Sequence, residues 1–223
     1  MGKSVLGIDE AGRGPLIASM FIVGAMFVEE DLPMLKSLGV KDSKLLLHEK
    51  RIFLDKEIRK IAKKIKVIEV SAAEIDKAVD SKEGMNLNWL EAVKQAEIIN
   101  ELKPDRVVID CPSTNIKKYR EYLLNLVDDK LKKTMEVIVE HKADQNYVEC
   151  SSASVVAKCA REESLNVLRK TVKEEFGSGY PSDPVTKEFV KKHWKKYPKI
   201  FRHSWSTYQK VANPEQQAGL DKF

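Results

Sequence analysis

Four acidic side chains stand at or just after the ends of apolar runs in the sequence: Asp9, Glu10, Asp110 and Asp144. In α/β sheets functional groups gather at the ends of strands, because the strands set positions while the loops leave room for a ligand. Adjacent carboxylates repel each other, so the pair Asp9 and Glu10 indicates a nearby cation or substrate. Any one of these acids taken alone could equally be a helix cap or part of a surface ion pair.

Taken together, the four acids predict a metal site with oxygen ligands. Such a site suits Mg²⁺ or Mn²⁺ better than zinc. Two of these ions about 4 Å apart can activate a water and stabilise the departing oxygen of a phosphodiester, so we expect two-metal hydrolysis. Neighbours in a regular strand point to opposite faces, so Asp9 and Glu10 can share this site only if the strand ends or distorts there. The nearby Gly12 and Gly14 allow such a distortion.

The elements that would position these acids follow from the alternation of apolar runs and helical periodicity, which predicts a mixed α/β domain. Expected strands are 4–9, 19–28, 65–70, 106–110 and 135–141, and expected helices are 48–63, 86–101, 115–127 and 147–172. The short connection between the first two strands predicts an antiparallel pair. The wholly apolar run before Asp110 is typical of a central strand buried on both faces.

Composition excludes several classes of protein. The 223 residues are 43% hydrophobic and 33% charged, which is typical of an ordered chain. No apolar run reaches the roughly 18 residues that span a bilayer, and the first residues lack a signal-peptide pattern, so we expect a cytoplasmic protein. Three cysteines without framework spacing argue against a disulfide scaffold, and four scattered histidines argue against zinc.

A basic segment lies near the end of the chain. Residues 187–210 hold eight Lys or Arg against one acid, a net charge of +7, together with six aromatic residues. The segment could bind a phosphate backbone, with its rings against sugars, bases or the domain itself, or it could be a solvated helix whose rings dock on the core. The glycines and prolines of 177–184 suggest a boundary before it. We expect a catalytic domain at 1–185, a helical appendage at 186–212 and a tail at 213–223.

Several motifs identify a family. They are "GIDEAGRGP" at 7–15, "KDSK" at 41–44, "VVID" ending at Asp110, "KAD" ending at Asp144, "SSASVVAK" at 151–158 and "GSGYPSDP" at 177–184. The sequence resembles ribonuclease HII, the type 2 ribonuclease H family, and its archaeal members in particular. The resemblance implies an RNase H-like fold with a five-stranded mixed sheet flanked by helices.

The resemblance also implies an activity and roles for residues. The activity is endonucleolytic cleavage of RNA in RNA·DNA hybrids and 5′ to ribonucleotides embedded in duplex DNA, as in ribonucleotide and RNA primer removal. Roles are implied for ten residues: metal binding for Asp9, Glu10, Asp110 and Asp144, reading of the ribose 2′-hydroxyl for Gly12, Arg13 and Gly14, phosphate contacts for Ser43 and Lys44, and sensing of the ribo-to-deoxyribonucleotide junction for Tyr180.

The tail suggests a partner. Gln217, Leu220 and Phe223 have the Q-x-x-L-x-x-F spacing of the peptide that docks replication proteins on the sliding clamp, PCNA. One helical turn would place Leu220 and Phe223 together as anchors in a hydrophobic groove. We therefore expect this peptide to dock on the clamp and the enzyme to be otherwise a monomer.

Two alternatives remain open. A nuclease of the same fold could act on plain DNA, although the glycine–arginine–glycine loop and Tyr180 would then be unexplained. A non-catalytic module could bind hybrids or the clamp, although four acids would then repel a phosphate backbone.

Overall fold

A computed structural model describes residues 2–40 and 47–212 of the chain. Its strands are β1 (Ser4–Ala11), β2 (Met20–Val28), β3 (Lys64–Val70), β4 (Arg106–Asp110) and β5 (Glu136–Glu140). They form one sheet in the order β3-β2-β1-β4-β5. β1 pairs antiparallel with β2 and parallel with β4, and β4 pairs parallel with β5. The five-stranded mixed sheet and the antiparallel first pair are confirmed.

Helices account for much of the remaining chain. Within the described residues they are α1 (Leu32–Ser37), α2 (His48–Ile61), α3 (Ala72–Val79), α4 (Leu87–Leu102), α5 (Ile116–Asn125), α6 (Asp129–Lys132), α7 (Ala143–Asn146), α8 (Val148–Val172), α9 (Pro184–His193) and α10 (Ser206–Ala212). The four helices predicted from periodicity correspond to α2, α4, α5 and α8. None of the helices described in 2–40 and 47–212 is long and apolar enough to cross a membrane.

The first strand is longer than predicted. It continues through both acids to Ala11, because Asp9 and Glu10 still pair with Val23 and Ile22 of β2. The strand therefore does not end between the two acids. The ladder with β2 continues past both acids as far as Ala11, which pairs with Phe21.

Contacts within the described residues divide the chain into two compact units. The first comprises the described parts of 1–11, 21–69 and 87–160. Its core packs residues of β2, such as Val23 and Phe27, against residues of α2 and α8, such as Leu54 and Val156. The sheet and the four predicted metal ligands belong to this unit.

The second unit comprises the described parts of 12–20, 70–86 and 161–223. Its core joins Leu16 and Ile17 to Phe176, Phe189 and Phe201. The basic segment is therefore part of a folded unit with its own core, and the expected boundary at residue 185 lies within α9. The functional division into catalytic domain, appendage and tail stays a prediction.

Candidate active site

Two of the acids are brought together by the pairing of neighbouring strands. β1 and β4 run parallel with Ile8 opposite Ile109, and one further residue places Asp9 beside Asp110. Side chains at paired positions of parallel strands lie on the same face of the sheet. Both carboxylates therefore emerge at the same end and on the same face.

The third acid, Asp144, is delivered by the short helix that follows β5. Lys142 takes the left-handed conformation, with φ of 60°, and turns the chain from the strand into α7. The backbone N–H of Ala143 then donates to Oδ1 of Asp110 at 3.1 Å. The hydroxyl of Ser151 on α8 donates to the carbonyl oxygen of Asp144, which fixes the other side of the turn.

Asp9, Asp110 and Asp144 form a cluster that fits a cation. Each offers a carboxylate oxygen, and these oxygens lie within 4.8 Å of one another. Asp9 and Asp144 are only 4% and 2% exposed. Oδ1 of Asp144 is buried and accepts no hydrogen bond from the described residues. Buried, closely spaced carboxylates are costly unless a cation compensates them, and oxygen donors suit hard divalent ions.

Asp9 shows the electrostatic cost of this arrangement. Burial, with a smaller contribution from the charge of Asp110, raises the pKa of Asp9 to about 7. Hydrogen bonds from the Ser154 hydroxyl and from the backbone N–H of Glu10, at 2.7 Å, act in the opposite direction. Without a cation the Asp9 carboxyl is therefore poised between its protonated and ionised forms near neutral pH.

Helix α8 supports Asp9 through a hydrogen-bonded pair. Ser154 and Lys158 lie one turn apart, and Lys158 Nζ donates to the Ser154 hydroxyl oxygen at 2.9 Å. The hydroxyl in turn bonds to Asp9, and the lysine charge lowers the pKa of Asp9. Sequence reasoning did not single out Ser154, although its i, i+4 spacing with Lys158 within "SSASVVAK" was visible.

Glu10 is not part of the three-acid cluster. It is half-buried and follows Asp9 within the uninterrupted β1. The negative charge of Glu10 nevertheless acts on Cys111, the residue directly after β4. Burial raises the pKa of the Cys111 thiol, and the charges of Asp110 and Glu10 raise it further. The assignment of Glu10 as a metal ligand stays a prediction.

Gly7 allows α8 to approach the strand that carries the acids. A Cβ atom at Gly7 would lie 2.1 Å from the carbonyl oxygen of Glu149, so only glycine permits this packing. One residue along each element, the Cys150 thiol donates to the carbonyl oxygen of Ile8 at 3.2 Å. The first glycine of "GIDEAGRGP" is therefore explained by helix–strand packing.

The loop at Gly12, Arg13 and Gly14 belongs to the second unit. Gly12 is buried with φ of 84°, Arg13 is half-buried and Gly14 is exposed. A Cβ atom at Gly14 would lie 3.6 Å from Cε1 of Tyr180, whose side chain is 40% exposed. The loop and the tyrosine therefore line one surface, as a joint role in substrate binding requires.

Arg161 lies behind this surface and was missed by sequence reasoning. Its guanidinium carbon is 5.4 Å from the centre of the Tyr180 ring, and its Nη2 donates to the carbonyl oxygen of Ser178 at 3.2 Å. Its Cδ would be 2.8 Å from a Cβ atom at Gly12. Burial lowers the pKa of Arg161. The arginine therefore supports both the tyrosine and the loop.

The turn that presents Tyr180 is held by Asp183 and Thr186. Asp183 accepts hydrogen bonds from the backbone N–H and the hydroxyl of Ser178 at 2.7 and 2.8 Å. Thr186 accepts from the N–H of Gly179 at 3.0 Å and donates to the carbonyl oxygen of Phe176 at 2.8 Å. The aspartate of "GSGYPSDP" thus holds the turn, and the two glycines take positive φ angles of 69° and 81°, which favour glycine.

The rings of the basic segment belong to the core of the second unit. Phe189, Phe201 and Tyr208 are buried, and Trp194, Tyr197 and Trp205 pack against them. The rings therefore pack on the protein's own core, which both interpretations of the segment allow, and phosphate binding by its cations stays a prediction. Arg202, counted with the phosphate-binding cations in the sequence, is completely buried, whereas the lysines at 187, 191 and 199 are exposed.

Five predicted residues lie outside the described part of the chain. They are Ser43, Lys44, Gln217, Leu220 and Phe223. Their phosphate-binding and clamp-docking roles stay predictions.

Comparison with known proteins decides the family. A model of the family described as "Ribonuclease HII" matches residues 6–208. The chain belongs to the ribonuclease HII family. The ribonuclease HII of Methanothermobacter thermautotrophicus is 39% identical over 209 residues, which cover 92% of this chain and 98% of that protein. This family membership makes the chain a ribonuclease H enzyme, and it confirms the resemblance stated from the motifs.

Solved structures agree with this assignment. The ribonuclease H2 of Pyrococcus horikoshii superposes with a TM-score of 0.84 at 35% identity, covering 96% of this chain and 99% of that one. The ribonuclease HII in the PCNA complex from Archaeoglobus fulgidus gives a TM-score of 0.77 at 35% identity, covering 91% and 95%. The RNase H-like fold is confirmed, and metal dependence accords with the family and with the acidic cluster.

Proposed function

We propose that this ribonuclease hydrolyses the RNA strand of RNA·DNA hybrids and cuts 5′ to ribonucleotides embedded in duplex DNA. The products would carry a 3′-hydroxyl and a 5′-phosphate. The observation that carries this proposal is the convergence of Asp9, Asp110 and Asp144 at one end of the sheet. Such an enzyme would serve ribonucleotide and RNA primer removal.

The acidic cluster would hold the metal. Asp9, Asp110 and Asp144, with Glu10 as a fourth ligand, would bind two Mg²⁺ or Mn²⁺ ions. The chemistry that such ions supply is activation of a water and stabilisation of the leaving oxygen. The Ser154 hydroxyl orients the Asp9 carboxylate, and the Lys158 ammonium, bonded to Ser154, favours its ionised form.

The loop at 12–14 and Tyr180 would select the substrate. The ribose 2′-hydroxyl is the local group that separates RNA from DNA, and glycines let the backbone approach a sugar closely. Arg13 would bind a phosphate through its forked guanidinium. Tyr180 would pack against the nucleotide at the junction, since its ring is partly exposed beside Gly14.

A cleavage assay tests this function. The substrate is a labelled DNA duplex that carries one ribonucleotide, incubated with and without Mg²⁺ and with the wild type, Asp110→Asn and Asp129→Asn. Asp129 is an exposed acid paired with Lys132 away from the cluster, so its variant is a matched control. We expect the wild type and the control to cut 5′ to the ribonucleotide only with metal, and Asp110→Asn to lose at least about 100-fold in rate.

The same assay separates the alternatives. Equal cleavage of an all-DNA duplex would indicate a nuclease for plain DNA. Tight binding without cleavage in any metal would indicate a non-catalytic module. Replacing Mg²⁺ by Mn²⁺ at matched concentrations identifies the metal that supports the higher rate.

We also propose that the tail docks on a sliding clamp. The support is the spacing of Gln217, Leu220 and Phe223 together with the solved PCNA complex of the Archaeoglobus fulgidus ribonuclease HII. Phe223→Ala should abolish retention on immobilised PCNA, whereas Asp221→Ala, between the anchors, should not. Retention of Phe223→Ala at the wild-type level would contradict docking.

We further propose that the enzyme is a cytoplasmic monomer apart from the clamp. Light scattering of the purified protein at several concentrations would measure its mass, and a concentration-dependent increase would contradict a monomer.

A further inference from the structure

Arg202 is a completely buried arginine that binds the backbone of the loop at 12–18. It lies between the 3₁₀ turn Pro198–Ile200 and α10, and its side chain is 0% exposed. Its Nη1 donates to the carbonyl oxygen of Arg13 at 2.6 Å and its Nη2 to that of Gly12 at 2.5 Å. Its Nε and Nη2 also donate to the carbonyl oxygen of Ala18, at 3.1 and 3.0 Å. One guanidinium thus joins both ends of the loop.

Trp205 completes the arrangement. Its ring lies 5.0 Å from the guanidinium carbon of Arg202, and its Nε1 donates to the carbonyl oxygen of Gly14 at 3.2 Å. The carbonyl oxygens of Gly12, Arg13 and Gly14 therefore all accept from these two side chains. Hydrogen bonds from charged donors are the stronger ones, and a planar arginine can satisfy several acceptors at once.

The backbone on both sides is anchored as well. The N–H of Arg202 donates to the carbonyl oxygen of Leu16 at 2.9 Å, and the N–H of Ala18 donates to that of Ile200 at 2.9 Å. Ile17 and Phe201 form the β-bridge between these bonds. Main-chain hydrogen bonds therefore fix the segment that carries Arg202 relative to the loop. The Arg202 side chain in addition orients the peptide groups of the loop itself.

The orientation of these carbonyls determines where the loop's N–H groups point. In a trans peptide the C=O and the following N–H point in opposite directions. Binding of the Gly12 and Arg13 carbonyls by Arg202 therefore turns the N–H groups of Arg13 and Gly14 to the opposite side of the loop. Pro15 has no N–H, so the third carbonyl, that of Gly14, has no matching donor.

We propose that Arg202, together with Trp205, is a positioning residue that sets the loop at 12–14 in the conformation that distinguishes ribose from deoxyribose. The inference deepens the proposed function and rests on it, because it assumes that this loop reads the 2′-hydroxyl. A buried cation behind the loop also makes its outer side favourable for a phosphate. Arg202 itself touches no substrate in this arrangement.

Two variants change the hydrogen bonds from Arg202 and Trp205 to the loop and keep large side chains at both positions in the second unit. Arg202→Lys keeps the charge but cannot bind three carbonyls in one plane. Trp205→Phe keeps a ring over the guanidinium but loses the N–H that binds Gly14. Lys170→Gln is the control, because Lys170 is an exposed cation of the same unit and its loss tests the effect of charge alone.

The measurements are kcat/KM on the single-ribonucleotide duplex, affinity for the same duplex without the ribonucleotide, and the rise in melting temperature caused by Mg²⁺. We expect Arg202→Lys to lower kcat/KM about 100-fold, since displacements of about 1 Å have such effects, and Trp205→Phe to lower it about tenfold. Affinity for the all-DNA duplex and the Mg²⁺ response should stay at wild-type values, as should all three quantities for Lys170→Gln.

Hydrogen exchange distinguishes positioning from general loss of stability. In Arg202→Lys and Trp205→Phe, amide exchange should become faster within 12–18 and remain unchanged in β4 and α8. An equal loss in kcat/KM on the ribonucleotide duplex and in affinity for the all-DNA duplex, or faster exchange throughout the described residues, would overturn the inference. If Arg202→Lys fails to fold, Trp205→Phe alone decides.

The two levels of the proposal fail differently. A wild type that treats the two duplexes alike would overturn the proposed function. A wild type that discriminates, with variants that discriminate equally well, would overturn only the role of Arg202 and Trp205.

Discussion

The carboxylates of the cluster are held for function at the expense of stability. Burial and the neighbouring charge of Asp110 raise the pKa of Asp9, which means that the metal-free protein tolerates a repulsive arrangement. Oδ1 of Asp110 accepts a hydrogen bond from the backbone N–H of Ala143. An amide at the same position could accept that bond without the charge.

We therefore expect Asp110→Asn to be at least as stable as the wild type in EDTA, with a gain of up to about 1 kcal/mol in the free energy of unfolding. Addition of Mg²⁺ should stabilise the wild type and leave the variant unchanged, because binding to the folded state alone raises its stability. Thermal melts with EDTA and with Mg²⁺ measure both effects. An equal Mg²⁺ response in the two proteins would contradict a metal site at Asp110.

The two glycines of the loop differ in what they require. Gly12 has φ of 84°, and a Cβ atom there would lie 2.8 Å from Cδ of Arg161 and 3.0 Å from the carbonyl oxygen of Ser19. At Gly14 the nearest atom would be Cε1 of Tyr180 at 3.6 Å, an ordinary contact. The left-handed backbone conformation and the close contacts therefore require glycine at position 12. At position 14 the absence of a side chain instead leaves space on the exposed surface beside Tyr180.

We expect Gly12→Ala to lower the free energy of unfolding by about 1–3 kcal/mol, because a left-handed conformation and a close contact are both unfavourable for alanine. Gly14→Ala should unfold like the wild type but lower kcat/KM for the ribonucleotide substrate, since the methyl group would occupy the surface beside Tyr180. Urea unfolding and cleavage kinetics measure the two effects. The opposite order of stabilities would refute this division of roles.

Among the elements, the turn before α9 depends on one carboxylate. Asp183 accepts from the N–H and hydroxyl of Ser178, and its Oδ1 accepts from the N–H of Val185 at 2.9 Å at the start of the helix. These bonds, those from Ser178 first, lower the pKa of Asp183 to about 2. The ionised form is therefore the one that holds the turn of Tyr180.

The pH dependence of stability follows from this shift. The folded-state pKa of Asp183 is lower than the unfolded value of 3.8. The contribution of the ionised carboxylate to the free energy of unfolding is therefore complete above about pH 4 and disappears as the pH falls towards 2. The stability difference between wild type and Asp183→Asn should be constant from pH 7 to about pH 5 and shrink below about pH 4. Urea unfolding across this range measures it, and a difference that persists at pH 2 would contradict the assignment.

Across the chain, positive charge is concentrated where the aromatic rings are buried. The rings of 187–210 anchor the segment in the core of the second unit, which leaves the exposed lysines at 187, 191 and 199 without a core role. Exposed lysines bind phosphates by displacing counterions, so their contribution depends on salt. The segment thus combines a structural face with a surface suited to nucleic acid.

We expect replacement of these three lysines by glutamine to weaken duplex binding equally for ribonucleotide-containing and all-DNA substrates. The slope of log affinity against log salt should fall by about 1 for each lysine that contacts phosphate. The melting temperature should not change, because the side chains are exposed. Fluorescence anisotropy at several salt concentrations measures the slope, and an unchanged slope would exclude this surface from binding.

Local sequence was sufficient for the sheet and for three acids. Apolar runs predicted all five strands, and placed Asp110 at the end of a buried one, because strand burial leaves a direct record in residue type. The end of β1 was wrong by two residues, since the ladder with β2 decides where a strand stops and local residues do not show it. The family motifs supplied the expected activity and the expected roles of individual residues, which the spacing of the acids alone left open.

Arg202 marks the limit of what the chain alone can tell. In the sequence it is one of eight cations in a basic segment, and a solvent-exposed role was the natural expectation. Its hydrogen-bond partners lie 184 to 190 residues away, so its burial follows only from the folded arrangement. The sequence by itself indicated the family, the sheet and the three acids that cluster, because these depend on residue type and local pattern. Only the tertiary structure decided which cation faces the loop and which face solvent, because burial depends on contacts between distant segments.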